Sequence, residues 1–277
     1  MGLVVVKCGG AAGVSSTHVC ADVAELVRRG CKVVLAHGGS AEIERLARRL
    51  DVAQRRLVAP DGVTTRYTDA ATLEVVMLAL ARVKTRLVTT LGTEGAPAIG
   101  LTGLDGGLLL ARRKRAHRAL LEGRLVVVRD NHSGRVAGVN AQLLRTLLGE
   151  GLVPVVSPPA LAEDGAPVNV DADRAAAAVA AATGATTLVL LTGAPGVLTD
   201  ATDEATVLDL CRIPGSGRPP EWALGGMALK LVAAREALEG GVPEVVVADG
   251  RSERPVLAAL DGAGTRVALE TEPAAVA

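Results

Sequence analysis

Phenylalanine is absent from this chain, and tryptophan and tyrosine occur once each, at Trp222 and Tyr67. A core built without rings must come from Leu, Val, Ile and Ala, so a bound purine would sit in an aliphatic slot with little stacking. The four cysteines, Cys8, Cys20, Cys31 and Cys211, have neither metal-ligand nor disulfide spacing. They read as small apolar residues in a reducing compartment. No apolar run approaches the ~18 residues of a membrane span, and no signal peptide precedes the first apolar segment, so a cytoplasmic protein is expected. Net charge is missing too: 30 basic residues balance 30 acidic ones, which argues against a general role on nucleic acid or membranes. No internal repeat is present.

What is there is a chain of 277 residues, 49% hydrophobic and 22% charged, long enough for two domains or one large α/β unit. Its start organises the rest. Leu3-Val4-Val5-Val6 reads as a buried parallel strand that ends in Lys7-Cys8-Gly9-Gly10 and a turn, Ala11-Ala12-Gly13. Backbone without Cβ can curl its N–H groups around an anion, and a neighbouring lysine adds a point charge. Read alone, Lys-x-Gly-Gly also describes a plain tight turn. A second strand, Lys32 to Ala36, ends alike in His37-Gly38-Gly39-Ser40, with Ser40 the expected cap of the next helix. Two glycine-rich strand ends opening onto helices make a phosphate or carboxylate site.

Further along, a polar connector holds Pro60-Asp61-Gly62 and Arg66, and Asp69 can cap a long helix running to about Leu91. Val76, Leu80, Val83, Leu87 and Leu91 form one stripe, which suits a domain core or a subunit interface. Leu108 to Arg113 and Leu125 to Arg129 read as the strands of a hairpin. Leu152 to Ser157 is a strand, and Pro158-Pro159 is taken as a domain boundary. Ala172 to Thr183 is an alanine-rich helix, Thr187 to Leu191 a strand, and Pro214 to Pro220 a mobile loop. Met227 to Leu238 is a further helix. Strands alternating with helices imply a mainly parallel sheet covered on both faces.

Asn169, Asp171 and Asp173 lie at i, i+2 and i+4, one face if extended, although Asp173 could simply cap the alanine helix. Gly225-Gly226-Met227 followed by Lys230 suits a flexible cover over phosphates, and Arg66 suits bidentate capture of a carboxylate. In this order, over nearly the whole chain, these segments resemble the amino-acid kinase family, specifically its N-acetylglutamate kinase branch. The resemblance implies a three-layer αβα sandwich of two lobes. Residues 1–157 would bind the acyl acceptor and form a homodimer through the long helix; residues 158–277 would bind ATP. It makes Lys7, Lys230 and Asp173 the catalytic set, with Asp173 holding both ammonium groups rather than acting as a base. Gly9, Gly10, Gly38 and Gly39 become phosphate loops, Arg66 and Asn169 substrate ligands, and Thr192, Gly193, Gly196, Gly226 and Met227 nucleotide contacts. Mg²⁺ would bridge the β- and γ-phosphates, with no dedicated protein ligand assigned.

Two features separate this chain from plain acetylglutamate kinases. Ser40 stands where those enzymes usually show a third glycine. Arg112, Arg113, Lys114, Arg115 and Arg118 make five basic side chains without an acid between them, which in a chain of zero net charge implies an acidic partner. Both features resemble kinases that act on 2-aminoadipate or glutamate carried on LysW, a small acidic amino-group carrier protein. The expected reaction is phosphorylation of the carried side-chain carboxylate to an acyl phosphate. N-acetyl-L-glutamate 5-kinase activity is the alternative. A non-catalytic regulatory subunit is a third reading, because Gly193 stands where the family commonly has Asp or Asn.

Overall fold

The computed structural model describes residues 2–10, 13–58, 64–113, 117–121 and 124–270. The expected turn at Pro60-Asp61-Gly62 lies outside them, as do Ala11, Ala12, Lys114 and Arg115. The chain opens with β1 (Leu3–Cys8), α1 (Ser16–Arg28), β2 (Lys32–His37) and α2 (Ser40–Arg49). β3 (Arg56–Val58) and β4 (Thr64–Arg66) precede the long α3 (Ala70–Thr93). Then come β5 (Ala98–Gly103), β6 (Leu109–Arg113), β7 (His117–Leu121), β8 (Arg124–Val128), β9 (Gly134–Val139) and α4 (Ala141–Gly149). The second half runs β10 (Val153–Ala162), β11 (Pro167–Val168), α5 (Ala172–Thr183), β12 (Thr187–Thr192), β13 (Leu210–Ile213), α6 (Gly225–Glu239), β14 (Glu244–Asp249), α7 (Pro255–Leu260) and β15 (Thr265–Leu269).

The main sheet has 11 strands, ordered β13-β15-β14-β12-β1-β2-β10-β6-β9, with β5 and β11 also paired to β10. Most pairings are parallel, and β1 lies at the centre between β12 and β2. Alternation along the strands feeds two cores. Val5, Leu188, Leu190, Val245 and Val247 face α4, α5 and α6; Val4, Val6, Val189, Leu191 and Val246 face α1, α3 and α7. The result is a three-layer αβα sandwich. With no phenylalanine to fill it, the largest fully buried side chains are leucines, joined only by His37.

Several local expectations are corrected. Leu109–Arg113 does not pair with the strand near Leu125; it pairs with β9, while β8 pairs with β7 in a separate four-stranded antiparallel sheet, β4-β3-β7-β8. The cap of α2 is Gly39 rather than Ser40. β10 runs straight through Pro158-Pro159, because the prolines fall where it changes neighbours. Its bonds to β2 and β5 end at Val156 and Ser157, and those to β11 and β6 begin at Ala160 and Leu161. Proline is harmless where no ladder N–H is required. Asp69 does cap α3, accepting from Thr72 N at 2.9 Å. The α3 stripe faces inward, with Val76, Leu80, Leu87 and Leu91 buried. Pro214 to Pro220 is tied to α6 by Arg235, whose Nη1 donates to Gly217 O at 2.9 Å. Among the described residues no helix is long and apolar enough to cross a membrane.

Candidate active site

Small residues bring α5 and α6 together. Asp173, Ala177 and Ala181 recur at every fourth position of α5, and Lys230, Ala234, Ala237 and Gly240 share one stripe of α6. A Cβ built on Gly240 would stand 2.5 Å from the Ala181 Cβ, so at this end the helices touch with nothing between them. One helix-length away the same stripes aim Asp173 and Lys230 at each other. Lys230 Nζ donates to Asp173 Oδ1 and Oδ2, both at 3.0 Å. From the sheet, Lys7 Nζ reaches the same Oδ1 at 2.9 Å. The three residues are 5–7% exposed.

Two buried ammonium groups therefore share one carboxylate. Burial alone would push the Asp173 carboxyl up, but Lys230 and Lys7 overcome it and hold it down at about 2. For Lys7 burial works against the charge and Asp173 wins, raising its pKa; for Lys230, burial together with Lys7 leaves it below its ordinary value. Among the described residues Asp171 makes no ion pair with either lysine, though its carboxyl acts on both. It is the N-cap of α5, its Oδ1 accepting from Arg174 N at 3.0 Å, and burial followed by Asp173 raises its pKa. The expected single face of Asn169, Asp171 and Asp173 is lost because the chain turns into α5 after Asp171. Cap duty falls to Asp171, which frees Asp173 for the lysines. Taken by themselves, Lys7, Lys230 and Asp173 carry one more positive charge than negative, with the Asp171 carboxyl close enough to act on both lysines.

The glycine loops meet beside it. Gly10 O accepts from Ser40 Oγ and Ala41 N, both at 2.9 Å, and Gly38 N donates to Cys8 O at 3.2 Å. A Cβ on Gly10 would come within 2.4 Å of Gly39 N and 2.6 Å of Ser40 N. Gly38 would meet Ala172 at 3.6 Å, at the start of α5. No hydrogen bond ties up the N–H groups of Gly10, Gly39 or Ser40 among the described residues. They form a cradle that a side chain would fill, which fits phosphate oxygens.

The remaining predicted residues sit further out. Thr192 ends β12, two residues beyond the Leu190 that pairs with Lys7, and its carbonyl accepts from Gly250 N at 2.8 Å. Gly193 faces open space, whereas Gly196 packs so tightly on Thr265 Oγ1 that a Cβ would lie 2.4 Å away. Gly226 and Met227 lie in the first turn of α6, which has no side-chain cap; Met227 N donates to Leu224 O at 3.1 Å. Asn169 donates to Thr68 Oγ1 at 3.3 Å. Arg66 is not brought to the lysines: its Nη1 donates to Gln54 Oε1 in a second cleft of about 450 Å³ that also holds Arg48 and Arg56. Of the basic run, Arg112 is exposed and 3.5 Å from Glu163, and Arg113 Nε donates to Asn131 O at 3.3 Å. Lys114 and Arg115 lie outside the described residues, and Arg118 belongs to β7. The buried Asn131, whose Oδ1 accepts from Thr68 N at 3.0 Å, was missed. Its only sequence signal is the polar run Asp130-Asn131-His132 after an apolar strand. Among the described residues no group of three or more His, Cys, Asp or Glu side chains could hold a metal.

Fold and site together define an αβα sandwich with a glycine-lined cradle beside two lysines at the ends of its central strands. The chain belongs to the amino acid kinase family, whose profile matches residues 2–249. It is 42% identical to the [LysW]-aminoadipate kinase of Thermus thermophilus over 96% of this chain and 100% of that one. An acetylglutamate kinase of Methanopyrus kandleri is 41% identical over 88% of this chain and 93% of its own length. Among solved structures, N-acetylglutamate synthase from Neisseria gonorrhoeae with coenzyme A and N-acetyl-glutamate superposes with a TM-score of 0.75 at 22% identity, covering 98% of this chain and 60% of that one. Carbamate kinase from Giardia lamblia bound to AMP-PNP gives 0.65 at 14% identity, covering 97% and 99%.

Proposed function

We propose that this protein is an ATP-dependent kinase that phosphorylates the side-chain carboxylate of 2-aminoadipate or glutamate attached to a LysW-type carrier protein. The observation that carries the reading is the Lys7–Asp173–Lys230 cluster beside free glycine N–H groups. The acceptor carboxylate is ionised at pH 7 and needs no base. Its oxygen bonds to the γ-phosphorus, the bond from that phosphorus to the bridging oxygen breaks, and ADP departs with the electron pair. Lys7 neutralises the migrating phosphoryl group from the acceptor side and Lys230 from the nucleotide side. Gly10 and Gly39 donate N–H groups to its oxygens, and Asp173 keeps both ammonium groups in place. Catalysis of this kind is positioning and charge stabilisation. A divalent cation arriving with the nucleotide would supply further neutralisation of the phosphate charge. With both lysines and Asp173 in place, the non-catalytic alternative has little support.

Carrier linkage is supported by the relatives' names and by Arg112, 80% exposed on its side chain at the end of β6. In this reading residues 1–157 serve the acceptor and 158–277 the nucleotide on one continuous sheet, and the enzyme works in the cytoplasm as a homodimer. Two features favour the dimer. β5 is bonded to β10 alone among the described residues, and α3 turns Leu78 outward, 51% exposed. The Methanopyrus relative keeps N-acetyl-L-glutamate as the alternative acceptor. Incubation with Mg-ATP and either N-acetylglutamate or LysW-linked glutamate or aminoadipate, trapping the acyl phosphate with hydroxylamine, separates the two. Turnover only with the linked substrates, weakened by Arg112→Glu, is expected. Robust turnover of free N-acetylglutamate, indifferent to that substitution, would overturn the carrier assignment.

A further inference from the structure

We propose that His37 and Ser40 are positioning residues of the phosphoryl site, a polar clip that holds the carbonyls of Gly38 and Gly10 and so leaves the N–H groups of Gly10, Gly39 and Ser40 for the migrating group. The inference rests on the kinase reading above. His37 ends β2 at 1% exposure, the one polar group among the largest fully buried side chains, all the others being leucine. Its Nδ1 lies 3.1 Å from Gly38 O. A carbonyl can only accept, so Nδ1 carries the proton and Nε2 is a bare acceptor. That Nε2 has no hydrogen-bond partner among the described residues. An orphaned buried acceptor is a loss that a leucine in the same place would not suffer. The imidazole therefore holds its position through the proton on Nδ1. Burial pushes the His37 pKa down to about 4, so the ring is neutral at pH 7 with one N–H to give.

Ser40 secures the other loop. Its Oγ donates to Gly10 O beside the Ala41 N–H, each at 2.9 Å, so the first glycine loop is gripped by the second. A glycine at position 40 would leave that carbonyl with Ala41 alone. Both contacts act through backbone, not through substrate: the Gly38 carbonyl shares its peptide with the Gly39 N–H, so His37 fixes the direction of a cradle donor, while Ser40 anchors Gly10 against the start of α2.

Asn reproduces the Nδ1 donor of histidine, and Gln reproduces the Nε2 position. Steady-state kinetics and amide hydrogen exchange of the segment 37–42 in H37N, H37Q, S40A and S40T test the clip. His37→Gln lowers kcat roughly ten- to hundred-fold with KM for Mg-ATP changed by less than about two-fold, while His37→Asn stays within about three-fold. Ser40→Ala lowers kcat about three- to ten-fold, and Ser40→Thr restores it. Exchange in the segment quickens in H37Q and S40A only. Equal loss of kcat in H37N and H37Q, or equal exchange in all four variants, overturns the proposal. Should H37Q fail to fold, the exposed Ser40 pair decides. If the wild-type protein phosphorylates no acceptor, the kinase reading fails, and the exchange data still judge the clip separately.

Discussion

Asp173→Asn removes one charge, keeps the volume of the side chain, and leaves Lys7 and Lys230 without their common partner. Both nitrogens bond Oδ1, at 2.9 and 3.0 Å, so they stand at most about 6 Å apart. With an effective dielectric constant near 20, each ammonium loses about 5 kcal/mol of attraction, and their mutual repulsion of about 3 kcal/mol remains. Repulsion of that size alone is worth about two pKa units. Lys230, already below its ordinary value, gives up its proton first. The variant then presents one cation where two are needed, and kcat at pH 7 falls about 10²–10³-fold. Its signature lies in the pH profile. Residual activity of the variant climbs as pH is lowered from 9 to about 6 and the lysine recharges, a trend the wild-type enzyme lacks. A coupled ADP-release assay across that range, with thermal denaturation alongside, measures both effects. A variant within about five-fold of wild type, with an unchanged profile, would refute the shared-carboxylate reasoning.

Three further outcomes are expected. The folded Asp173 titrates at about 2, below its unfolded value, so its stabilisation is present above about pH 4 and lost as pH falls towards 2. The urea midpoints of wild type and Asp173→Asn should converge over that window, and a constant gap would contradict it. Gly240→Ala drives a methyl into the Ala181 methyl and costs about 1–3 kcal/mol in urea unfolding. Because it also spreads α5 from α6, kcat should drop with it, and a neutral result would mean the helices have slack. Gly10→Ala drives a methyl to within 2.4 Å of Gly39 N, lowering kcat at least about 10²-fold and costing about 1–3 kcal/mol of stability as the loops part; a fully active variant would show the loops are not the phosphate site.

How much of this was legible in the sequence depends on whether a residue's position is set locally. Lys7, Asp173 and Lys230 each sit at a strand end or helix start that the apolar periodicity marks, so they could be placed before any contact was known. The division of duty between Asp171 and Asp173 could not, because it turns on the residue at which the chain enters α5. The strand Gly134–Val139 has glycine at its first and fifth positions and little alternation, so its pairing with β6 was invisible. Pro158-Pro159 is the opposite case: the signal is strong, and in the structure it falls at the gap between two sets of ladder bonds within β10 rather than at a strand end. Arg66 was correctly placed near the end of a connector, yet its guanidinium turns to Gln54, a side-chain choice no motif encodes.

The poverty in rings has an experimental consequence. Trp222 lies three residues ahead of α6, 36% exposed, and Tyr67 follows Arg66 directly, with the Arg55 guanidinium 4.4 Å above its ring. Each is the sole chromophore of its kind and, with no phenylalanine to add background, each reports from a different place: Trp222 from the approach to α6, Tyr67 from beside the Arg66 cleft. Unlabelled protein therefore carries two separable optical gauges: indole emission for events at the start of α6, phenol absorbance for events near Arg66.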